Sequence, residues 1–89
     1  MSRVKLKPLT SAQIRAARAL IRWSAEDLAR ESTLGVTTIR RAELTESETS
    51  MTTANDSAVR RALEAAGVIF IEENGGAGAG VRLRKPQRK

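Results

Sequence analysis

The chain has 89 residues, with 16 Lys and Arg against 10 Asp and Glu, a formal net charge of +6, and no Cys or His. A chain of this length closes one hydrophobic core, and the lack of Cys and His excludes a Cys/His zinc site, a disulfide framework and a histidine general base. We therefore expect a single-domain protein that is not an enzyme and needs no metal or cofactor. Because the sequence has no run of 18 apolar residues and no apolar signal core, we also expect a cytoplasmic protein with no membrane partner.

Positive charge is concentrated at the two ends of the chain. Residues 1–24 contain six Lys and Arg and no acid, residues 25–80 contain five basic and ten acidic residues, and residues 81–89 contain five basic residues. Cationic ends suit a polyanion, although ribosome contacts or nonspecific adhesion would need them too. We divide the chain into a basic N-terminal arm (1–9), a helical domain (10–67), a hairpin (68–84) and a basic tail (85–89) that either lies along phosphates or serves solubility.

Three helices are predicted in the first half of the chain. A Thr-Ser-Ala-Gln capping box at 10–13 opens a helix over 11–22, and Ser-Ala-Glu-Asp at 24–27 opens a second, short helix. The second helix stops at Ser-Thr-Leu-Gly, residues 32–35, because hydroxyls, β-branching and a glycine disfavour continuation. A third helix follows over 36–43. Two short helices joined by a turn of about four residues, with a small Ala29 at their crossing, have helix-turn-helix geometry.

This part of the chain resembles the Cro/cI-type (XRE) helix-turn-helix family of DNA-binding transcriptional regulators. The similarity runs from about Ile14 to Val68 and is most specific in W-S-A-E-D-L-A-R-E-S-T-L-G-V-T-T-I-R-R-A-E, residues 23–43. It implies a mainly α fold, in which a four-helix Cro/cI-like domain precedes the C-terminal hairpin. The family's Leu-Ala pair, its apolar turn residue and its buried anchor on the recognition helix are matched by Leu28, Ala29, Leu34 and Ile39.

The resemblance also implies a buried ion pair between Arg18 and Glu43, which makes Arg18 structural rather than a DNA contact. Three residues depart from the family pattern. Thr33 stands where Gly is usual, Ala25 where a phosphate-contacting Gln is usual, and Ala42 where a larger apolar residue is usual. Thr33 would be strained by about 1 kcal/mol or more in a left-handed turn.

If the family geometry holds, the third helix enters the major groove with its N-terminal residues at the base edges. Arginine pairs with guanine O6 and N7, and methyl groups contact thymine. The residues expected to read bases are Val36, Thr37, Arg40 and Arg41. The residues expected to contact the DNA backbone are Arg15, Arg22, Ser24 and Thr38, the alternatives being a solvated basic face for the arginines and inward packing for Thr38.

A loop, a fourth helix and a hairpin complete the chain. Residues 44–52 lack periodicity and predict a solvated connection near the DNA. Thr-Ala-Asn-Asp at 53–56 caps a helix that ends at Gly67. Its expected core face is Val59, Ala62, Leu63 and Ala66, and its expected outer face is Arg60, Arg61 and Glu64. Strands at 68–72 and 81–84 flank the glycine-rich residues 75–80, which we interpret as a flexible hairpin tip rather than a phosphate-binding loop.

The first strand of this hairpin is apolar on both faces, and an isolated hairpin is marginally stable. We therefore expect the hairpin to pack on its own helices and on a second copy of the chain. The alternative is a monomer that covers the hairpin itself. The expected dimer interface is Val68, Ile69, Phe70, Ile71, Val81 and Leu83.

Together these features favour a homodimeric transcriptional regulator, repressor or activator, that binds an inverted-repeat operator in double-stranded DNA within the nucleoid. Small regulators of the family commonly control their own promoters. One alternative is an antitoxin or other module that binds a partner protein through its C-terminal strands. A second is an RNA-binding or ribosome-associated domain, which is disfavoured because the only aromatics, Trp23 and Phe70, occupy positions where core packing claims them.

Overall fold

A computed structural model describes residues 7–86, so most of the basic arm and the end of the basic tail lie outside the described residues. Four helices precede one antiparallel two-stranded hairpin, and the helices hold about half of the described residues. No helix between residues 7 and 86 is long and apolar enough to cross a membrane. The elements are α1 (Ser11–Ile21), α2 (Ala25–Ser32), α3 (Val36–Ala42), α4 (Thr53–Ala65), β1 (Val68–Ile71) and β2 (Gly80–Leu83).

The helices α1 and α2 begin at the two predicted capping boxes. The Gln13 amide donates to Thr10 Oγ1 at 3.1 Å, and the Thr10 amide donates to Gln13 Oε1 at 3.0 Å. The Asp27 amide donates to Ser24 Oγ at 3.0 Å, and the Ser24 amide donates to Asp27 Oδ2 at 2.9 Å. Each box satisfies backbone donors that the first helical turn leaves without partners.

The helix α4 is capped one residue earlier than predicted. The N-cap is Thr52, whose hydroxyl accepts a hydrogen bond from the Asn55 amide at 3.1 Å, and Thr53 is the first helical residue. Consecutive threonines make both positions chemically suitable, because either hydroxyl can accept from an amide three residues ahead. The spacing alone does not choose between them.

The helices α1 and α2 both end in a left-handed residue that is not glycine. Arg22 has φ 60° and Thr33 has φ 57°. In each case the next residue, Trp23 or Leu34, donates its amide to a carbonyl five residues back, at 3.0 and 2.9 Å, and packs against the core. These are Schellman ends, and Thr33 adopts the left-handed turn although the glycine usual at that position in the resembled family is missing.

The core lies between the four helices and the inner face of the hairpin. Leu9, the last residue of the predicted N-terminal arm, is buried within it. The Leu9 amide donates to Asp56 Oδ1 of α4 at 3.0 Å, which fixes this residue beside the domain. The largest fully buried apolar side chains are Leu9, Ile14, Leu28, Ile39, Val59, Leu63 and Val68.

The segment 44–52 is not the purely solvated connection that its composition predicted. The Thr49 amide donates to the Leu9 carbonyl at 3.2 Å, and the Ser11 amide donates to the Ser47 carbonyl at 2.9 Å. Thr10 and Glu48 form an isolated antiparallel bridge between these bonds. The loop is therefore attached to the residues that lead into α1, through backbone pairing that leaves no apolar periodicity in the sequence.

Arg60 was predicted to face outward, and this prediction was wrong. Its guanidinium carbon lies 5.4 Å from the centroid of the Phe70 ring, and its Nη2 donates to the Lys7 carbonyl at 2.9 Å. Asp56, one turn earlier on α4, forms an ion pair with Arg60, with 3.8 Å between Asp56 Oδ2 and Arg60 Nη2. The helix α4 is covered by the hairpin as well as by the other helices, so a single apolar stripe underestimates its buried surface.

The hairpin packs its inner face on the protein's own helices. Val68 is fully buried, and Phe70 and Val81 pack against the core. Leu83 is paired with Val68 and shares that face. These four residues therefore face the protein's own helices, as expected for one side of the hairpin, and their contact with a second copy stays a prediction.

Ile69 and Ile71 alone among the six predicted interface residues lie on the outer face of the hairpin, 37 % and 41 % exposed. Ile69 is paired with Arg82, and Ile71 with Gly80. Gln13 of α1 ties this end of the hairpin down, since its Nε2 donates to the carbonyls of Ile71 and Gly80 at 3.3 and 3.1 Å. The outer face of the hairpin thus carries two exposed isoleucines, and Gln13 attaches both strands to α1 on the opposite side.

Candidate nucleic-acid interface

The helices α2 and α3 are joined by the three residues 33–35. Leu28 and Ala29 of α2 are buried, as is Ile39 of α3, and Leu34 of the turn packs against the same core. The methyl group of Ala29 permits the close crossing of two short helices. The structure therefore contains two short helices joined by a short turn, which is one residue shorter at its N-terminal side than predicted because Ser32 stays in α2.

The helix α3 presents one face to solvent. Ile39 is 0 % exposed and Ala42 is buried beside it, which fixes the inner face. Positions 37, 40 and 41 then share the exposed face, since residues three and four apart are neighbours on a helix. Of the four residues expected to read bases, Thr37, Arg40 and Arg41 are exposed, and Val36 is half-buried against the core.

The two exposed arginines of α3 differ in their partners. Arg40 Nη2 forms an ion pair with Glu26 Oε2 of α2. Within residues 7–86, Arg41 makes no side-chain hydrogen bond and no ion pair. The pKa of Glu26 is lowered, first by a hydrogen bond from the backbone amide of Glu26 to its own carboxylate and then by the positive charge of Arg40. Sequence reasoning missed this pair, because its members lie 14 residues apart and carry no shared periodicity.

The C-terminal end of α3 is fastened to α1 by the pair that the resemblance implied. Arg18 Nε and Nη2 donate to Glu43 Oε2 and Oε1 at 2.7 and 2.8 Å, and Arg18 Nη1 donates to the Trp23 carbonyl at 2.9 Å. The hydrogen bond with Glu43 is the main cause that raises the pKa of Arg18. All three guanidinium nitrogens are engaged within the protein, which is the structural role that the resemblance implied.

A second contact at this junction involves Ser11, which sequence reasoning missed. Its buried hydroxyl hydrogen-bonds both the Ala42 carbonyl and Thr45 Oγ1. Small side chains at Ser11 and Ala42 let the first turn of α1 approach the last turn of α3. At position 42, where the resembled family has a larger apolar residue, Ala42 accepts a hydrogen bond from Ser11 through its backbone carbonyl.

The four residues expected at the DNA backbone have different surroundings. Arg15 is exposed and donates to the Glu43 carbonyl at 3.3 Å, and Arg22 is exposed at the left-handed end of α1. Ser24 is exposed, with its oxygen accepting the Asp27 amide, and Thr38 is half-buried near the N-terminus of α3. The structure therefore places Arg22 and Ser24 beside the start of α2. Arg15 lies elsewhere, beside the C-terminal end of α3.

The first turn of α2 carries negative charge at this surface. Hydrogen bonding from the Ser24 amide, followed by Arg30, lowers the pKa of Asp27, whose carboxylate occupies the N-terminus of the helix. Glu26 lies beside it, so a phosphate placed at this helix end would meet two carboxylates. With Ala25 where the resembled family has Gln, the exposed Arg22 stays the predicted cationic contact with phosphate near the start of α2.

The two aromatic side chains offer no stacking surface. Trp23 and Phe70 are both half-buried and packed against the core, and Phe70 is covered by Arg60. Recognition of unpaired RNA or DNA bases commonly uses exposed aromatic rings. Neither aromatic residue among residues 7–86 is a fully exposed ring of this kind.

No family model matches the chain, and a search of curated proteins found no relative.

Proposed function

We propose that this protein is a sequence-specific regulator of transcription that binds double-stranded DNA by placing α3 in the major groove. The exposed face of α3, with Arg40 and Arg41 opposite the buried Ile39, is the observation that carries the proposal. A major groove admits one α-helix, and arginine is its commonest reader of guanine. The ion pair of Arg18 with Glu43 attaches the C-terminal end of α3 to α1, and such support from a neighbouring element favours precise positioning of a reading helix.

The charge distribution supports attraction to DNA without by itself conferring sequence preference. The formal net charge is +6, and Arg22 stands exposed beside the start of α2. Each phosphate neutralised by an arginine releases counterions and steepens the salt dependence of binding by about one unit. Arg22→Gln should therefore weaken binding to all sequences alike and lower that slope by about one.

A second copy of the chain completes the proposed reader. One α3 contacts few base pairs, so useful preference requires two half-sites with centres about 34 Å apart. We place the contact between copies at the outer face of the hairpin, where Ile69 and Ile71 are exposed. Two isoleucines fall far short of the roughly 1,200 Å² that a stable interface buries, so the contact must extend along a strand edge of the hairpin.

The deciding experiment is selection of bound duplexes from a random DNA pool, followed by salt titration of the enriched sequence. We expect an inverted repeat that is bound at least a thousandfold more tightly than random DNA, about the low end for specific recognition. Absence of enrichment, with only steep salt-dependent binding, would overturn the proposal.

Binding of a partner protein is the second candidate function, and the exposed isoleucines of the outer hairpin face favour it. The two candidates differ in oligomeric state, which light scattering of Ile69→Glu measures. Leu44→Glu is a matched control, because Leu44 is also exposed but lies outside the hairpin. Loss of a dimer in Ile69→Glu alone supports the homodimer, whereas a wild-type monomer that binds no operator favours the partner protein.

A further inference from the structure

The ion pair between Glu26 and Arg40 has no evident role in holding the fold, and it lies on the surface proposed to meet DNA. We propose that Glu26 is a positioning residue for base recognition: its carboxylate orients the Arg40 guanidinium toward a guanine without itself contacting the base. This inference rests on the proposed function. It assigns a determinant of base preference to a residue of α2, outside the helix that enters the groove.

The geometry of the pair supports this role. Among residues 7–86 it is the single ion pair that links α2 to α3. Arg40 is bonded through one hydrogen of Nη2. The second Nη2 hydrogen, together with Nη1 or Nε, still forms a two-donor edge that can meet the two acceptors of guanine. An unattached arginine would lose more rotamer freedom on binding. Arg41 has no such partner, so the two arginines differ in preorganisation.

The exposure of the pair argues against a purely structural role. Both side chains are more than half exposed, and ion pairs in this setting contribute little to stability because water screens them. A carboxylate beside DNA also repels phosphate, which lowers affinity for every sequence equally. Glu26 should therefore affect binding in two ways. Its charge lowers the affinity for every DNA sequence alike, and its contact with Arg40 changes the preference for one base.

The test compares Glu26→Gln with Glu31→Gln on the selected operator and on its single-base variants. Glu31 is a matched control, since it is an exposed glutamate of the same helix that pairs with Arg30 instead. Removing either negative charge should tighten binding to random DNA. We expect Glu26→Gln alone to lower discrimination at one position per half-site, by about tenfold, within the range of one arginine–guanine pair.

A double variant identifies the route of the effect. In an Arg40→Ala background the Glu26→Gln change should leave base preference unaltered, because the residue it positions is gone. Circular dichroism melting of each variant shows that the fold is kept. A wild-type protein without any preferred operator would overturn the proposed function and this inference together. A preferred operator whose base preference survives Glu26→Gln would overturn this inference alone.

Discussion

Two junctions hold α3, and each contains an arginine–glutamate pair. At the α1–α3 junction Arg18 and Glu43 are 22 % and 9 % exposed and share two hydrogen bonds. At the α2–α3 junction Arg40 and Glu26 are 58 % and 61 % exposed. A buried charge that loses its partner is costly, whereas an exposed pair is screened. The same residue types therefore stabilise the fold at one junction and stay accessible to a ligand at the other.

The largest expected effect comes from breaking the buried pair. Glu43→Ala leaves the Arg18 guanidinium partly buried without its partner, which should lower the free energy of unfolding by about 3 kcal/mol. For a domain of this size the melting temperature should fall by about 12–24 °C, as measured by circular dichroism. An unchanged melting temperature would return Arg18 to the candidate phosphate contacts.

On the exposed face of α3, a substitution should change recognition of DNA bases rather than the stability of the fold. Arg41→Ala removes a side chain without partners among residues 7–86, so the melting temperature should stay the same. If Arg41 pairs with guanine, discrimination at one position per half-site should fall by about 1–3 kcal/mol. Arg61→Ala, an exposed arginine of α4, is the control. Equal losses on every sequence would make Arg41 a phosphate contact.

The two junctions also differ in how far they could be predicted. The capping boxes at residues 10–13 and 24–27 are local patterns, and their spacing places α1 and α2 within a residue or two. The pair of Glu26 with Arg40 is not local, because it depends on how two helices cross. Exposed side chains leave no apolar periodicity from which such a crossing could be inferred.

The hairpin illustrates the same limit in the core. Alternation in its sequence predicts the strands, but which apolar face turns inward depends on the helices beneath. Arg60 was placed outside for this reason, although it lies under the hairpin against Phe70. The backbone hydrogen bond from Thr49 to Leu9 is equally hard to infer from sequence, because it joins residues 40 positions apart.

The turn between α2 and α3 predicts a smaller effect. Thr33 has φ 57°, a conformation that costs a residue with a side chain about 1–2 kcal/mol. Thr33→Gly should raise the free energy of unfolding by about 0.5–1 kcal/mol, because glycine avoids this cost but loses more chain entropy on folding. Thr33→Ala keeps the Cβ atom and should give no gain. Equal stability of all three proteins would show that the turn is unstrained.

The start of α2 predicts the smallest effect, a dependence of stability on acid. The pKa values of Asp27 and Glu26 are both lowered in the folded protein. A carboxyl of this kind binds fewer protons when folded than when unfolded, so its contribution is complete above the unfolded pKa and disappears as the pH falls through the folded one. Unfolded Asp and Glu titrate near about 3.9 and 4.3. These two groups should therefore leave stability unchanged from pH 7 to about 5 and lower it below about 4.

Asp27→Asn isolates the part of this dependence that belongs to the capping box. Asparagine can still accept the Ser24 amide through its side-chain oxygen but does not titrate near these pH values. Urea unfolding of both proteins from pH 7 to pH 3 should show a steeper acid loss in the wild type, with the two curves converging as the pH falls. Parallel curves would mean that Asp27 gains no more from its negative charge in the folded protein than in the unfolded chain. The acidic first turn of α2 would then matter to the surface beside α3 rather than to the fold.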